Sequence, residues 1–125
     1  MGLFSSLIGN AGAVKPDELR EKYQRLLLEE EEIEIGFKLV RDTFIFTNRR
    51  LVLIDKQGVT GRKTSYFSVS YKSISRFSIE TAGTFDLDAE LKIWISSENQ
   101  PSLSYKFNKS VDVYEVQKLL ASHVL

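Results

Sequence analysis

The chain has 125 residues, 17 basic against 17 acidic, and no cysteine. Its length suits one domain burying roughly two thirds of the surface an unfolded chain would expose, and the balanced charge argues against a general nucleic-acid binder, which needs a basic excess to displace counterions. The lack of cysteine excludes disulfides and thiolate metal sites, so a reducing cytoplasm is the expected setting.

In chain order, Leu3, Phe4, Leu7 and Ile8 come first, on one face of a helix of about ten residues that is too short to be stable alone. That face must dock on its own domain, a neighbouring subunit or a membrane surface. The same stretch has no positive n-region, so secretion is not expected. Gly2 and Ser6 fit the permissive N-myristoylation pattern, although a lone acyl chain holds a membrane only marginally. No run reaches the roughly 18 apolar residues of a membrane span.

A stronger helix follows. Pro16 is preset for a first turn, Asp17 and Glu18 suit its positive end, and Leu19, Tyr23, Leu26 and Leu27 make an apolar stripe. The run Glu29 to Glu32 crowds negative charge at the helix's negative end and reads as a solvated exit. Residues 1–32 are therefore expected as a helical segment packed on a body spanning 33–125.

From Ile33 the period drops to two, because Ile33, Ile35, Phe37 and Leu39 alternate with polar or small residues. Arg41-Asp42 makes a corner into a strand with Phe44 and Phe46 on one face. Asn48-Arg49 turns the chain again into Arg50 to Asp55. Asn tolerates left-handed backbone, so "TNRR" has the composition of a hairpin corner, where both arginines are expected to meet water. The glycine-containing, basic "KQGVTGRK" reads as a loop before Thr64 to Ser70, and Ile74 to Thr81 is the next strand. Leu87, Ala89, Leu91, Ile93 and Ile95 then line one strand face, with Asp86, Asp88, Glu90, Lys92 and Trp94 on the other; Leu103, Tyr105 and Phe107 alternate once more. Asp112 with Glu115 resembles a capping box opening a helix striped by Val113, Val116, Leu120 and Val124. Seven short-linked antiparallel strands must curl to bury their apolar faces, which predicts a mainly β, α+β domain: a small, partly open barrel or two near-orthogonal sheets closed by the C-terminal helix.

That order of elements is the order of a pleckstrin-homology (PH) superfold. The "TNRRL" corner, the "YKSI" turn and the "AGTFDLDAELKIWI" hairpin, all within Phe44 to Ser97, resemble the bacterial PH domain family. The resemblance implies a bacterial cytoplasmic protein without catalytic activity or cofactor, a barrel capped by the last helix, and assembly into homo-oligomers, rings among them. It carries over no lipid site, since eukaryotic relatives grip headgroups with a long basic loop between the first two strands. Here that link is Arg41-Asp42.

Chemistry is sparse. His123, the only histidine, falls in the closing helix, and no nucleophile elbow, phosphate-binding glycine loop or zinc spacing is present. Asp86, Asp88 and Glu90 would lie about 7 Å apart along one strand face, too spread for a calcium site without turns to gather them. Charge is sectored: residues 1–36 hold four basic and eight acidic side chains, 38–76 nine and two, 80–98 one and five. The function expected is a binding and homo-oligomeric assembly module with no catalytic, cofactor or metal residues. Its candidate interface is Asp86, Asp88, Glu90, Lys92 and Trp94. The alternative is a peripheral membrane module that meets anionic lipid weakly through Lys38, Arg41, Arg62 and Lys63. A protein or peptide partner at a strand edge is a further option. Trp94 faces outward by alternation, and burial under the Pro16 helix or exposure at an interface are both open.

Overall fold

The structure, a computed structural model, describes residues 13–39, 42–57, 63–81, 89–107 and 111–125. The chain divides into two compact units, with the boundary between Ser70 and Tyr71.

The first unit is a five-stranded antiparallel sheet, in the order β1 (Ala13–Val14), β2 (Ile33–Lys38), β3 (Asp42–Thr47), β4 (Arg50–Gln57) and β5 (Lys63–Ser70), with helix α1 (Pro16–Tyr23) between β1 and β2. Register follows the hydrophobic pattern. Phe44 faces Leu53, Ile45 faces Val52 and Phe46 faces Leu51, so each face of β3 continues across β4. On one face Phe37, Phe44 and Phe46 are buried together, with edge-on or tilted rings 6.4 and 5.4 Å apart. On the other face Ile45, Val52 and Ile54 pack with Ile33 beneath Leu19 and Tyr23 of α1. Gly36 belongs to this second face, opposite Ile45, and a Cβ there would run into Leu19 Cδ1. Its small size lets α1 seat directly on the strand.

Helix α1 is shorter than its apolar stripe suggested. It ends at Tyr23, after which Leu26 N–H donates to Tyr23 O (2.9 Å) and Leu27 N–H to Gln24 O (3.3 Å) in tighter turns. The next backbone groups bond elsewhere: Leu26 O accepts from Arg50 Nη2 (3.0 Å), and Leu28 N–H donates to Glu31 Oε1 (3.1 Å). Leu26 and Leu27 still pack against the core.

The second unit is a three-stranded antiparallel sheet, β6 (Ile74–Thr81), β7 (Ala89–Ile95) and β8 (Leu103–Phe107), entered through the short 3₁₀ turn Tyr71–Ser73 and followed by helix α2 (Val113–Val124). Its pairing shifts register between Ile74 and Arg76, then runs regularly to Thr81 opposite Ala89. Leu91, Ile93 and Phe107 are buried, as are Val113, Val116, Leu119 and Leu120 of α2, which packs on β6, β7 and the 3₁₀ turn. Asp112 caps the helix by accepting from Tyr114 N–H at 3.1 Å. His123 stacks flat on Tyr71 with ring centres 4.1 Å apart. All seven expected strands are present, and the two-residue β1 is an addition that the sequence pattern was too short to reveal.

Candidate functional site

The most unusual chemistry sits where β3 turns into β4. Asn48 fixes the approach: its side-chain oxygen accepts from Glu32 N–H (2.8 Å) and its own N–H donates to Glu32 O (2.9 Å), which extends the β2–β3 ladder past its bulge. Thr47 Oγ1 then caps the corner, accepting from the N–H groups of Arg49 (3.0 Å) and Arg50 (2.9 Å) while donating to Glu31 Oε2 (2.6 Å). Arg50 reaches back to hold the same carboxylate with two prongs, Nε to Oε2 and Nη2 to Oε1, each 2.9 Å. Its Nη1 donates to Ser68 Oγ at 2.8 Å. Arg20 Nη2 donates to the Glu31 backbone carbonyl.

Glu31 is fully buried, whereas its neighbours Glu30 and Glu32 are exposed. Burial alone would push its carboxyl up, but the Arg50 hydrogen bonds, then those from Thr47 and the Leu28 N–H, together with the Arg50 charge, outweigh burial and hold it at about 2. Arg50 is correspondingly pushed up by its bond to Glu31. These positions correct two expectations. The glutamate run is not a uniformly solvated exit, because one member turns inward to meet an arginine. Nor do both arginines meet water: Arg49 does, pairing loosely with Glu30 at 3.4 Å, but the Arg50 side chain is only 22% exposed. Residue-type patterns gave no sign of this, since the 24–32 segment has no period from which to read direction. With the Glu31 oxygens and the Arg50 fork turned on each other and on Leu26, Leu28, Thr47 and Ser68, the cluster is built to clamp that segment onto the sheet.

The candidate interface residues on β7 are brought together as alternation required. Glu90, Lys92 and Trp94 share one face, opposite Glu80, Ser78 and Arg76 of β6. Trp94 is half-buried: the Arg76 guanidinium lies 4.8 Å over its ring, and Nε1 donates to Asn99 O at 3.2 Å. Arg76 also donates to Glu98 O (3.3 Å), Lys92 pairs with Glu80 (3.4 Å) and Ser104 donates to Glu90. Within its own unit Trp94 is covered by the Arg76 guanidinium and the turn that carries Glu98 and Asn99. Asp86 and Asp88 lie outside the described residues.

The two basic candidates within the described residues lie apart. Lys38 and Lys63 are exposed, but they sit on β2 and β5, three strand spacings or about 14 Å apart across the sheet, and in different rows. Arg41, Arg62 and the Leu3, Phe4, Leu7, Ile8 face lie outside the described residues. Among the described residues no group of three His, Asp or Glu side chains is placed to hold a metal ion, and no helix is long and apolar enough to cross a membrane.

Two antiparallel sheets and a C-terminal helix in this chain order define a PH-like fold, and similarity extends from architecture to sequence. The chain belongs to the bacterial PH domain family, whose profile it matches over residues 2–124. It is 52% identical to the uncharacterized protein YjqA of Bacillus subtilis strain 168 across 98% of both chains, and 36% identical to YozO of the same organism across 83% of this chain and 88% of that one. Among solved structures it resembles a DUF1696 family protein with a pleckstrin-homology domain from Shewanella loihica PV-4, at 50% identity and a TM-score of 0.82, covering 94% of this chain and 99% of that one. A pleckstrin homology domain from Shewanella amazonensis SB2B follows at 48% identity and a TM-score of 0.78, covering 99% of each chain.

Proposed function

We propose that this protein is a non-catalytic binding module that assembles with copies of itself. The observation that carries the reading is the outward face of β6 and β7. There a half-buried tryptophan lies under an arginine, on a β face it shares with Glu80, Glu90 and Lys92. Tryptophan and arginine are the residues most enriched where protein interfaces concentrate their binding energy. The sectored charge supplies a counterpart, since the acidic stretch 80–98 follows a strongly basic one, 38–76, and such sectors attract one another between copies. Among the described residues the one strongly perturbed carboxylate, Glu31, is fully buried and held by Arg50 and Thr47.

Light scattering at micromolar concentration and moderate salt tests the reading. The expected result is a mass several times that of one 14.3 kDa chain, reduced by Trp94→Ala with the fold intact by circular dichroism. A single-chain mass over the whole concentration range would remove it.

A further inference from the structure

Glu29, Glu30, Glu31 and Glu32 offer Arg50 the same carboxylate, yet Glu31 is buried against it and the other three are exposed. Side-chain chemistry cannot tell four identical residues apart, so the backbone makes the choice. The regular β2–β3 ladder begins only at Ile35, beyond a shift in pairing at Ile33, and does not set the register of the segment before it. Glu31 N–H donates to Leu28 O (3.1 Å), a bond inside the segment that would travel with it. Arg20 reaches the Glu31 carbonyl from the end of a long side chain.

We infer that Asn48 is the positioning residue that selects Glu31: by holding the backbone of Glu32 it turns the preceding side chain, and no other of the four, toward Arg50. Glu32 N–H donates to Asn48 Oδ1 (2.8 Å) and Asn48 N–H donates to Glu32 O (2.9 Å), so one residue grips both backbone groups of the other. Asn48 is itself anchored. It follows β3, which pairs with β4 without a shift in register, and the Thr47 hydroxyl takes the N–H groups of Arg49 and Arg50 across the same corner. Fixing register is the best-attested use of a buried polar group. The selection also decides what the segment presents outside. With Glu31 turned inward, Glu29, Glu30 and Glu32 line, with Asp17 and Arg20, an open cavity of about 390 Å³. A slip of one residue in either direction would send one of those carboxylates into the core and Glu31 into the cavity.

The test is Asn48→Ala in the full-length chain, with the glutamate side-chain carboxyls followed by NMR from pH 7 to pH 2. In the native chain Glu31 should stay charged down to about pH 2. In Asn48→Ala that low titration should be divided between Glu31 and Glu30 or Glu32. Glu31→Gln should then cost about half or less of the urea stability it costs in the native background, because a neighbour takes its place. Low titration that stays on Glu31 alone would give the choice to the buried Ile33 and to Arg20, and overturns the inference; its disappearance from all four overturns it too. If Asn48→Ala does not fold, Glu31→Gln alone decides. With Asn48 in place, none of Glu29, Glu30 and Glu32 should acquire the low titration, and one that does so removes Asn48 from the choice.

Discussion

Glu31 shows what a single residue's surroundings can do to its chemistry. Its folded-state pKa lies below the ordinary 4.5, so its ionised form contributes stability that is fully present above pH 4.5 and is lost as pH falls from there toward about 2. At about 1.4 kcal/mol per pH unit, that interval corresponds to about 3 kcal/mol. Glu31→Gln should therefore cost about 3 kcal/mol in urea unfolding at pH 7, because it leaves the Arg50 guanidinium without its counter-charge. The gap between the two proteins should close as pH approaches 2, and a gap independent of pH would show that packing, not charge, is lost. Arg50→Lys keeps the charge but cannot reproduce the two-pronged grip or the bonds to Ser68 and Leu26, and should cost about 2 kcal/mol. Ser96 offers the opposite sign. It holds φ at 56°, a left-handed conformation, so Ser96→Gly should relieve strain for a net gain of about 0.5 kcal/mol, read as a higher thermal midpoint.

At the scale of elements, α1 is fastened at two points, by Leu19 and Tyr23 on the sheet and by the Glu31–Arg50 pair beyond its end. The first depends on Gly36. Gly36→Ala should cost about 1–3 kcal/mol by forcing Leu19 away, and combining it with Leu19→Ala should cost less than the sum of the two single changes. Additive losses in chemical denaturation would mean that helix and strand do not meet as described. The C-terminal helix depends on Asp112 in the ordinary way, so Asp112→Ala should lower stability by about 1 kcal/mol. Element types were legible from periodicity, and strand partners followed from short connections. The end of α1 was not legible, because Leu26 and Leu27 continue an apolar stripe whose backbone partners, Arg50 and Glu31, lie on other segments.

For the whole molecule, net neutrality conceals a basic stretch followed by an acidic one, and that order gives self-association a salt dependence. An assembly joined through these opposite sectors should loosen as salt rises from low values toward 0.5 M, because exposed pairs are screened once the Debye length shrinks below about 8 Å. An assembly held by apolar contact alone would not respond, or would tighten. Light scattering across a salt series separates the two.

The sequence by itself determined the strands, the closing helix and its cap, the outward direction of Trp94 and the family, because alternation, capping and turn chemistry act between residues near one another in the chain. It could not say which of four adjacent glutamates goes inside, or which of two adjacent arginines follows it. Those choices were made by the tertiary structure, where the irregular segment after α1 crosses the β3–β4 corner and the Glu31 carboxylate meets the Arg50 guanidinium in a two-pronged, buried pair. A buried charge is tolerable only beside its opposite, and nineteen positions of chain separate these two.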